Sequence, residues 1–144
     1  MELGRRSTSF FDDVDRNYVV AQLEGRMDAP VDLTVAVRRT SPLLLSPAPG
    51  AEEAARAEQL ARELASLEPR VRVTVTDHGA GDIPSFTVAG RVRFLGVPRV
   101  NLFRALLETI RRASTGDHGL PDDWVQALAE LPRPVRARAF ATPT

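Results

Sequence analysis

Three stretches in the first half of the chain decide the fold: VDLTVAV at residues 31–37, AEEAARAEQLARELASL at 51–67 and VRVTVT at 71–76. The first and third place β-branched apolar side chains at alternate positions, which is typical of β-strands. The middle stretch is rich in alanine and carries Leu60 and Leu64 on one face, so it predicts an amphipathic helix. A strand, a helix and a strand in this order predict two parallel strands joined by a right-handed crossover.

The residues after the crossover predict a hairpin and a further helix. Residues 85–88 and 91–95 are two apolar, β-rich runs joined by Ala89-Gly90, which indicates an antiparallel hairpin. Residues 100–113 then have apolar side chains at helical spacing. We expect the strands to form one sheet with helices on both faces. The predicted core consists of Val35, Val37, Leu60, Leu64, Val73, Val75, Phe86, Val88, Phe103 and Leu106.

The flanks of this unit are less regular. Asp12-Asp13 predicts the start of an N-terminal helix that continues towards Asp28-Ala29-Pro30. The proline-rich loop between the first strand and the long helix contains Leu43-Leu44-Leu45, which must find cover. Residues 114–121, STGDHGLP, read as a linker, and residues 122–131 as a short helix with Trp124 as its expected anchor. The alternation from Val135 to Ala141 predicts a last strand.

Composition excludes several kinds of chemistry. The chain of 144 residues has no cysteine, which excludes disulfides, thiolate metal sites and thiol catalysis. Its 19 basic and 19 acidic side chains balance, so no nucleic-acid or membrane partner is expected. No apolar run is long enough for a membrane helix, and we expect a cytoplasmic protein.

The motifs give no ligand site. His78 and His118 lie far apart in polar turns without further ligands nearby, so no metal site is predicted. No glycine-rich phosphate loop is present, and the sequence predicts no cofactor.

The order of elements, with Ile83-Pro84 directly before the hairpin, resembles the thioredoxin fold. Together with RVRFLGVP at 91–98, STGDHGLP at 114–121 and RPVRARAFATPT at 133–144, residues 10–144 resemble the N-terminal unit of the glutaredoxin-like protein disulfide oxidoreductases. Members of that family carry two thioredoxin units in one chain. In them, the stretch similar to FATPT leads directly into the CPYC redox motif of the second unit.

The resemblance implies a domain organisation. Residues 1–11 would be a flexible N-terminus, and residues 12–113 a thioredoxin-like domain without a CxxC motif. The linker at 114–121 would lead to residues 122–144, the helix and first strand of an incomplete second thioredoxin unit. The fold class is therefore α/β, thioredoxin-like, with an N-terminal helix and a C-terminal helix-strand appendage.

The resemblance also implies where a redox site would lie. Thioredoxin-type enzymes place the attacking cysteine at the start of the first crossover helix, where Ala51, Glu52, Glu53 and Ala54 stand here. These are degenerate redox-site positions, since the two glutamates would raise the pKa of any neighbouring thiol. The resemblance further implies a cis peptide bond at Ile83-Pro84 and a peptide-docking loop around it; the alternative is that Pro84 only shapes the hairpin entry.

Two functions remain open from the sequence. The first is a redox-inactive thioredoxin-fold module of a thiol-disulfide oxidoreductase, which supports or docks a protein, a peptide or a second thioredoxin unit. The chain as given should then be inactive, although the full-length family would be enzymes. The alternative is a stand-alone interaction module that self-associates or binds another protein, with a homodimer through residues 135–141 as one form. The terminal strand should accordingly be exposed, disordered or added to a sheet edge.

Overall fold

The computed structural model describes residues 9–38, 50–77 and 83–141. These residues form an α/β structure with four helices and one mixed sheet of four strands. The helices are α1 (Asp13–Leu23), α2 (Ala51–Leu67), α3 (Val100–Thr115) and α4 (Asp122–Ala129), and the strands are β1 (Val31–Val37), β2 (Val71–Asp77), β3 (Ser85–Val88) and β4 (Val92–Leu95). The predicted Leu43-Leu44-Leu45 loop lies outside the described residues.

The sheet has the strand order β2-β1-β3-β4. β1 and β2 run parallel, with Val31 opposite Val71, which confirms the predicted crossover. β3 runs antiparallel to β1, with Phe86 opposite Val35, and β4 runs antiparallel to β3. This arrangement is compatible with a thioredoxin-like fold.

The hairpin prediction is confirmed, including its turn. Ala89 and Gly90 both have positive φ, 49° and 67°, as a two-residue hairpin turn of the common type requires. The Ala89 amide donates to the Asp32 carbonyl at 2.8 Å, so the turn is also fastened to β1. β3 is thereby held between β1 and β4.

In the described part of the chain, α1, α2 and α3 pack on one face of the sheet, so the prediction of helices on both faces is wrong. Side chains of α1, α2 and α3 join the inward-facing side chains of β1 and β3 in one apolar cluster. On the opposite face Asp32, Arg72, Thr74 and Arg93 are exposed. The alternate positions of the strands are polar, and a sheet with that pattern is stable with one solvated face.

The predicted core residues are buried except at the margins. Val35, Leu60, Leu64, Phe86 and Leu106 are each 0% exposed, and Val37 and Val88 each 1%. Val73, Val75 and Phe103 are only partly buried and pack against this cluster. The two valines belong to the edge strand β2, which has a neighbour on one side only.

The N-terminal helix is shorter than predicted and is fixed to the rest of the fold at both ends. α1 ends at Leu23, and Met27 enters the core from the turn that follows. Val14, in the first turn of α1, is 76% exposed. Before α1, Phe11 is 3% exposed and its amide donates to Glu63 of α2 at 3.1 Å.

The C-terminal part is exposed. The predicted short helix forms as α4. The side chain of Trp124 is 62% exposed, so it does not have the predicted role of a buried anchor. Residues 135–141 are exposed, as expected, but the predicted strand is wrong for the single chain, because these residues are in no strand. An alternating pattern specifies two faces, and without a partner edge it does not form a strand.

Candidate functional site

Ala51, Glu52, Glu53 and Ala54, which the resemblance implied to be degenerate redox-site positions, form the first turn of α2. Gly50 precedes the helix with φ 84°, in the left-handed region that glycine adopts without strain. Ala54 is buried at 8% exposure, whereas Glu52 faces solvent. Among the described residues no group of three or more metal-ligating side chains exists. This turn therefore offers carboxylates and methyl groups, and no thiol.

Glu53, at the start of α2, is paired with two arginines. A carboxylate oxygen of Glu53 lies 3.7 Å from Arg56 and 3.8 Å from Arg99, which directly precedes α3. These are long, solvent-exposed ion pairs that contribute about 0.2–1 kcal/mol at most. They indicate that Glu53 helps to hold two helix starts together.

The predicted docking loop does not have the geometry that the resemblance implied. No cis peptide bond is present among the described residues, so the Ile83-Pro84 bond is trans and the cis prediction is wrong. The trans form is the more stable for most X-Pro bonds, and the sequence itself supplied only a proline before a strand. Pro84 is buried and its carbonyl accepts a hydrogen bond from Gly96 at 2.7 Å. That carbonyl is occupied by the hairpin, which supports the shaping role of Pro84.

A shallow groove of about 340 Å³ runs along α2. Its lining includes Arg38, Glu58, Arg62 and Glu63, and Arg62 binds Glu58 at 2.8 Å. Partial burial opposes ionisation of Glu63, but hydrogen bonds from the Phe10 and Phe11 amides outweigh this effect, so the pKa of Glu63 is lowered. The groove thus uses its charges for internal contacts.

The remaining titratable groups also have structural roles. The hydrogen bonds from Arg111 and Arg112 lower the pKa of Glu108 to about 2, and all three residues are partly exposed side chains of α3. His118 accepts a hydrogen bond at Nδ1 from the Leu120 amide at 3.1 Å. His78 lies outside the described residues.

The feature that the sequence analysis missed is a surface of exposed apolar side chains, here called the α4–tail surface. Trp124 and Leu128 are 62% and 53% exposed on α4, and in the following segment Phe140 is 96% exposed. The α4–tail surface comprises Trp124, Leu128, Leu131, Val135 and Phe140. Large apolar side chains grouped in this way mark interaction sites on soluble proteins.

The α4–tail surface contains a groove as well as protruding rings. The groove measures about 480 Å³ and is lined by Leu128, Leu131, Pro134, Val135 and Ala137, among others. Val135 and Ala137 are two positions apart, so they face the same side of an extended segment. Trp124 and Phe140 do not line this groove, and their aromatic side chains are exposed outside it.

Comparisons with known proteins identify no relative: no protein family matches the chain, and no curated protein matches it either. Nothing in them links the chain to a glutaredoxin-like oxidoreductase. In the described part of the chain, every helix is too short or too polar to cross a lipid bilayer.

Proposed function

We propose that this chain is a redox-inactive module with a thioredoxin-like fold that docks another protein chain. The α4–tail surface is the observation that carries this proposal. The absence of cysteine from the sequence removes thiol chemistry, so binding is the activity left to such a module. The strand order β2-β1-β3-β4 and the crossover between β1 and β2 support the thioredoxin-like assignment.

Docking through the α4–tail surface is favoured over docking at the loop before β3. The peptide bond before Pro84 is trans, and the Pro84 carbonyl already accepts a hydrogen bond from Gly96. Neither observation supports peptide binding at this loop. The α4–tail surface instead combines an aromatic side chain, a leucine-lined groove and arginines. Interface centres that contribute most to binding are enriched in tryptophan and arginine.

The family resemblance extends the proposal. On that extension, the chain is the non-catalytic unit of a thiol-disulfide oxidoreductase of the glutaredoxin-like kind, and it supports or docks rather than reduces. The alternative is a stand-alone interaction module of the same fold. Both predict that the purified chain does not reduce insulin disulfides, and a reproducible activity would disprove both.

Site-specific photo-crosslinking in cells tests the docking surface. The photoreactive residue benzoyl-phenylalanine replaces Trp124 in one variant and Thr74, on the solvated face of the sheet, in a control variant. Both positions are exposed to solvent, so a difference between their adducts reflects the surface around each position. We expect a discrete crosslinked adduct from position 124, and no adduct from position 74.

A second change makes the crosslinking result specific. Adding Leu128→Asp to the variant labelled at position 124 places a charge beside the groove and should abolish the adduct, because a buried unpaired charge opposes binding. Equal adducts from both labelled positions, or none from position 124, would show that the α4–tail surface is not the docking site.

A further inference from the structure

The α4–tail surface carries its charges in two blocks of opposite sign. Asp122, Asp123 and Glu130 lie on or next to α4, and Arg133, Arg136 and Arg138 follow in the tail. No acidic residue occurs from Leu131 to Ala141. Within the described residues, none of these arginines forms an ion pair, although the two blocks are close in sequence. One copy of the chain therefore leaves both blocks uncompensated.

The orientation of the tail explains why a single copy does not pair its own charges. Val135 and Ala137 line the groove beside Leu128, so in an extended segment Arg136 and Arg138 project to the opposite side. The guanidinium groups of Arg136 and Arg138 thus project away from the groove. A second molecule can reach them there.

We infer that the α4–tail surface binds a second copy of this chain in a two-fold symmetric dimer. This inference rests on the proposed docking function and names its partner. In such a dimer each tail lies against the partner's α4, so that Arg136 and Arg138 of one copy meet Asp122 and Asp123 of the other. The same contact repeats across the axis, as an isologous interface requires.

The apolar side chains of the α4–tail surface also favour the dimer. Each copy offers a groove next to Leu128 and two exposed aromatic rings, Trp124 and Phe140. Because a two-fold axis places each element twice, the rings of one copy can cover the groove of the other. Burial of aromatic side chains of this size is the main source of binding energy in protein interfaces.

The charge pattern favours a second copy over a nucleic acid or an anionic membrane. A polyanion attracted by the three arginines would lie beside Asp122, Asp123 and Glu130, which repel phosphate. The surface carries equal numbers of acidic and basic groups, and its complement is a surface with the same pattern. A second copy of the chain has this pattern of acidic and basic groups.

Sedimentation velocity over a concentration series tests the dimer. The variant Arg136→Glu/Arg138→Glu should raise the dimer dissociation constant by about tenfold or more, since like charges then face each other. Its control, Arg91→Glu/Arg93→Glu, makes the same two charge changes at the same spacing in the hairpin, and should leave the dissociation constant unchanged. Both positions of the control are exposed.

A mixing experiment tests the pairing itself. The variant Asp122→Arg/Asp123→Arg alone should be monomeric, and an equimolar mixture with Arg136→Glu/Arg138→Glu should form a heterodimer. That recovery also shows that α4 remains intact, because arginine in a first helical turn opposes the helix dipole.

The outcomes separate this inference from the proposed function. A chain that stays monomeric at every concentration, or a dimer weakened only by the control in the hairpin, would overturn the inference. If that monomeric chain still gave a crosslinked adduct with a different protein from position 124, the docking function would stand and only its partner would be wrong.

Discussion

Glu63 fixes the N-terminal segment to α2, and its replacement by glutamine should destabilise the fold measurably. One carboxylate oxygen accepts the Phe10 amide at 2.5 Å, and the other accepts the Phe11 amide at 3.1 Å and the Ser9 hydroxyl at 2.9 Å. Hydrogen bonds to a charged group contribute about 1.5–3 kcal/mol each when buried. The Glu63 side chain is 19% exposed, so solvent reduces these contributions.

Glutamine can accept only on one side. Its amide nitrogen would face one of the backbone N–H groups, and that donor would lose its partner while Phe11 stays in the core. We therefore expect Glu63→Gln to lower the free energy of unfolding by about 2 kcal/mol at neutral pH, measured by urea denaturation followed by circular dichroism. The control Glu24→Gln, at an exposed position, should change it by less than about 0.5 kcal/mol.

The stabilisation that Glu63 provides should depend on pH. The pKa of Glu63 in the folded chain lies below its ordinary value of 4.5, so the unfolded chain takes up the proton first as the pH falls. The stabilisation is therefore complete above pH 4.5 and is lost as the pH falls through the lowered value. The difference between wild type and Glu63→Gln should be constant near neutrality and shrink below that pH. An undiminished difference in acid, or no difference at neutral pH, would refute the assigned role.

Three further substitutions test the fold. Phe86→Ala removes a ring that is 0% exposed and should lower the free energy of unfolding, measured by urea denaturation, by about 3–5 kcal/mol. Leu95→Ala, at a side chain that is 69% exposed, should lower it by less than about 0.5 kcal/mol. Similar values for the two variants would contradict the one-sided core. Ser114→Ala breaks the two hydrogen bonds, 2.9 and 2.6 Å, that join α3 to Ala29, and should lower the melting temperature through a loss of about 1–2 kcal/mol. Gly116→Ala should cost about 1 kcal/mol in the same assay, because φ is 73° there and the space around the added methyl group is open; no effect would mean that α3 ends differently.

Local patterns predicted the elements of this fold well. The alternating valines of β1 and β2 specified two strands, and the alanine-rich run between them could only cross over as a helix. The solvated face was also visible in principle, because Asp32, Thr34 and Thr74 occupy the alternate positions of those strands. The expectation that helices cover both faces of the sheet did not take this polar pattern into account.

The predictions that were wrong concern features that depend on contacts with other segments rather than on local sequence. A proline before a strand does not specify its isomer, and Ile83-Pro84 is trans. The alternation from Val135 to Ala141 defines two faces of a segment without specifying the edge that it would join. Likewise, Trp124 was the expected anchor of the short helix, yet sequence alone could not indicate that the chain leaves this side chain uncovered.

The fluorescence of Trp124 tests the central claim most directly, because it is the chain's one tryptophan and lies on the α4–tail surface. In dilute solution its emission should be that of an indole exposed to water. As the chain is concentrated, the emission should shift to the blue as the ring is buried, with the same midpoint as the dimer in sedimentation. An emission that stays that of an exposed indole while the chain dimerises would contradict the account, because docking would then use another surface.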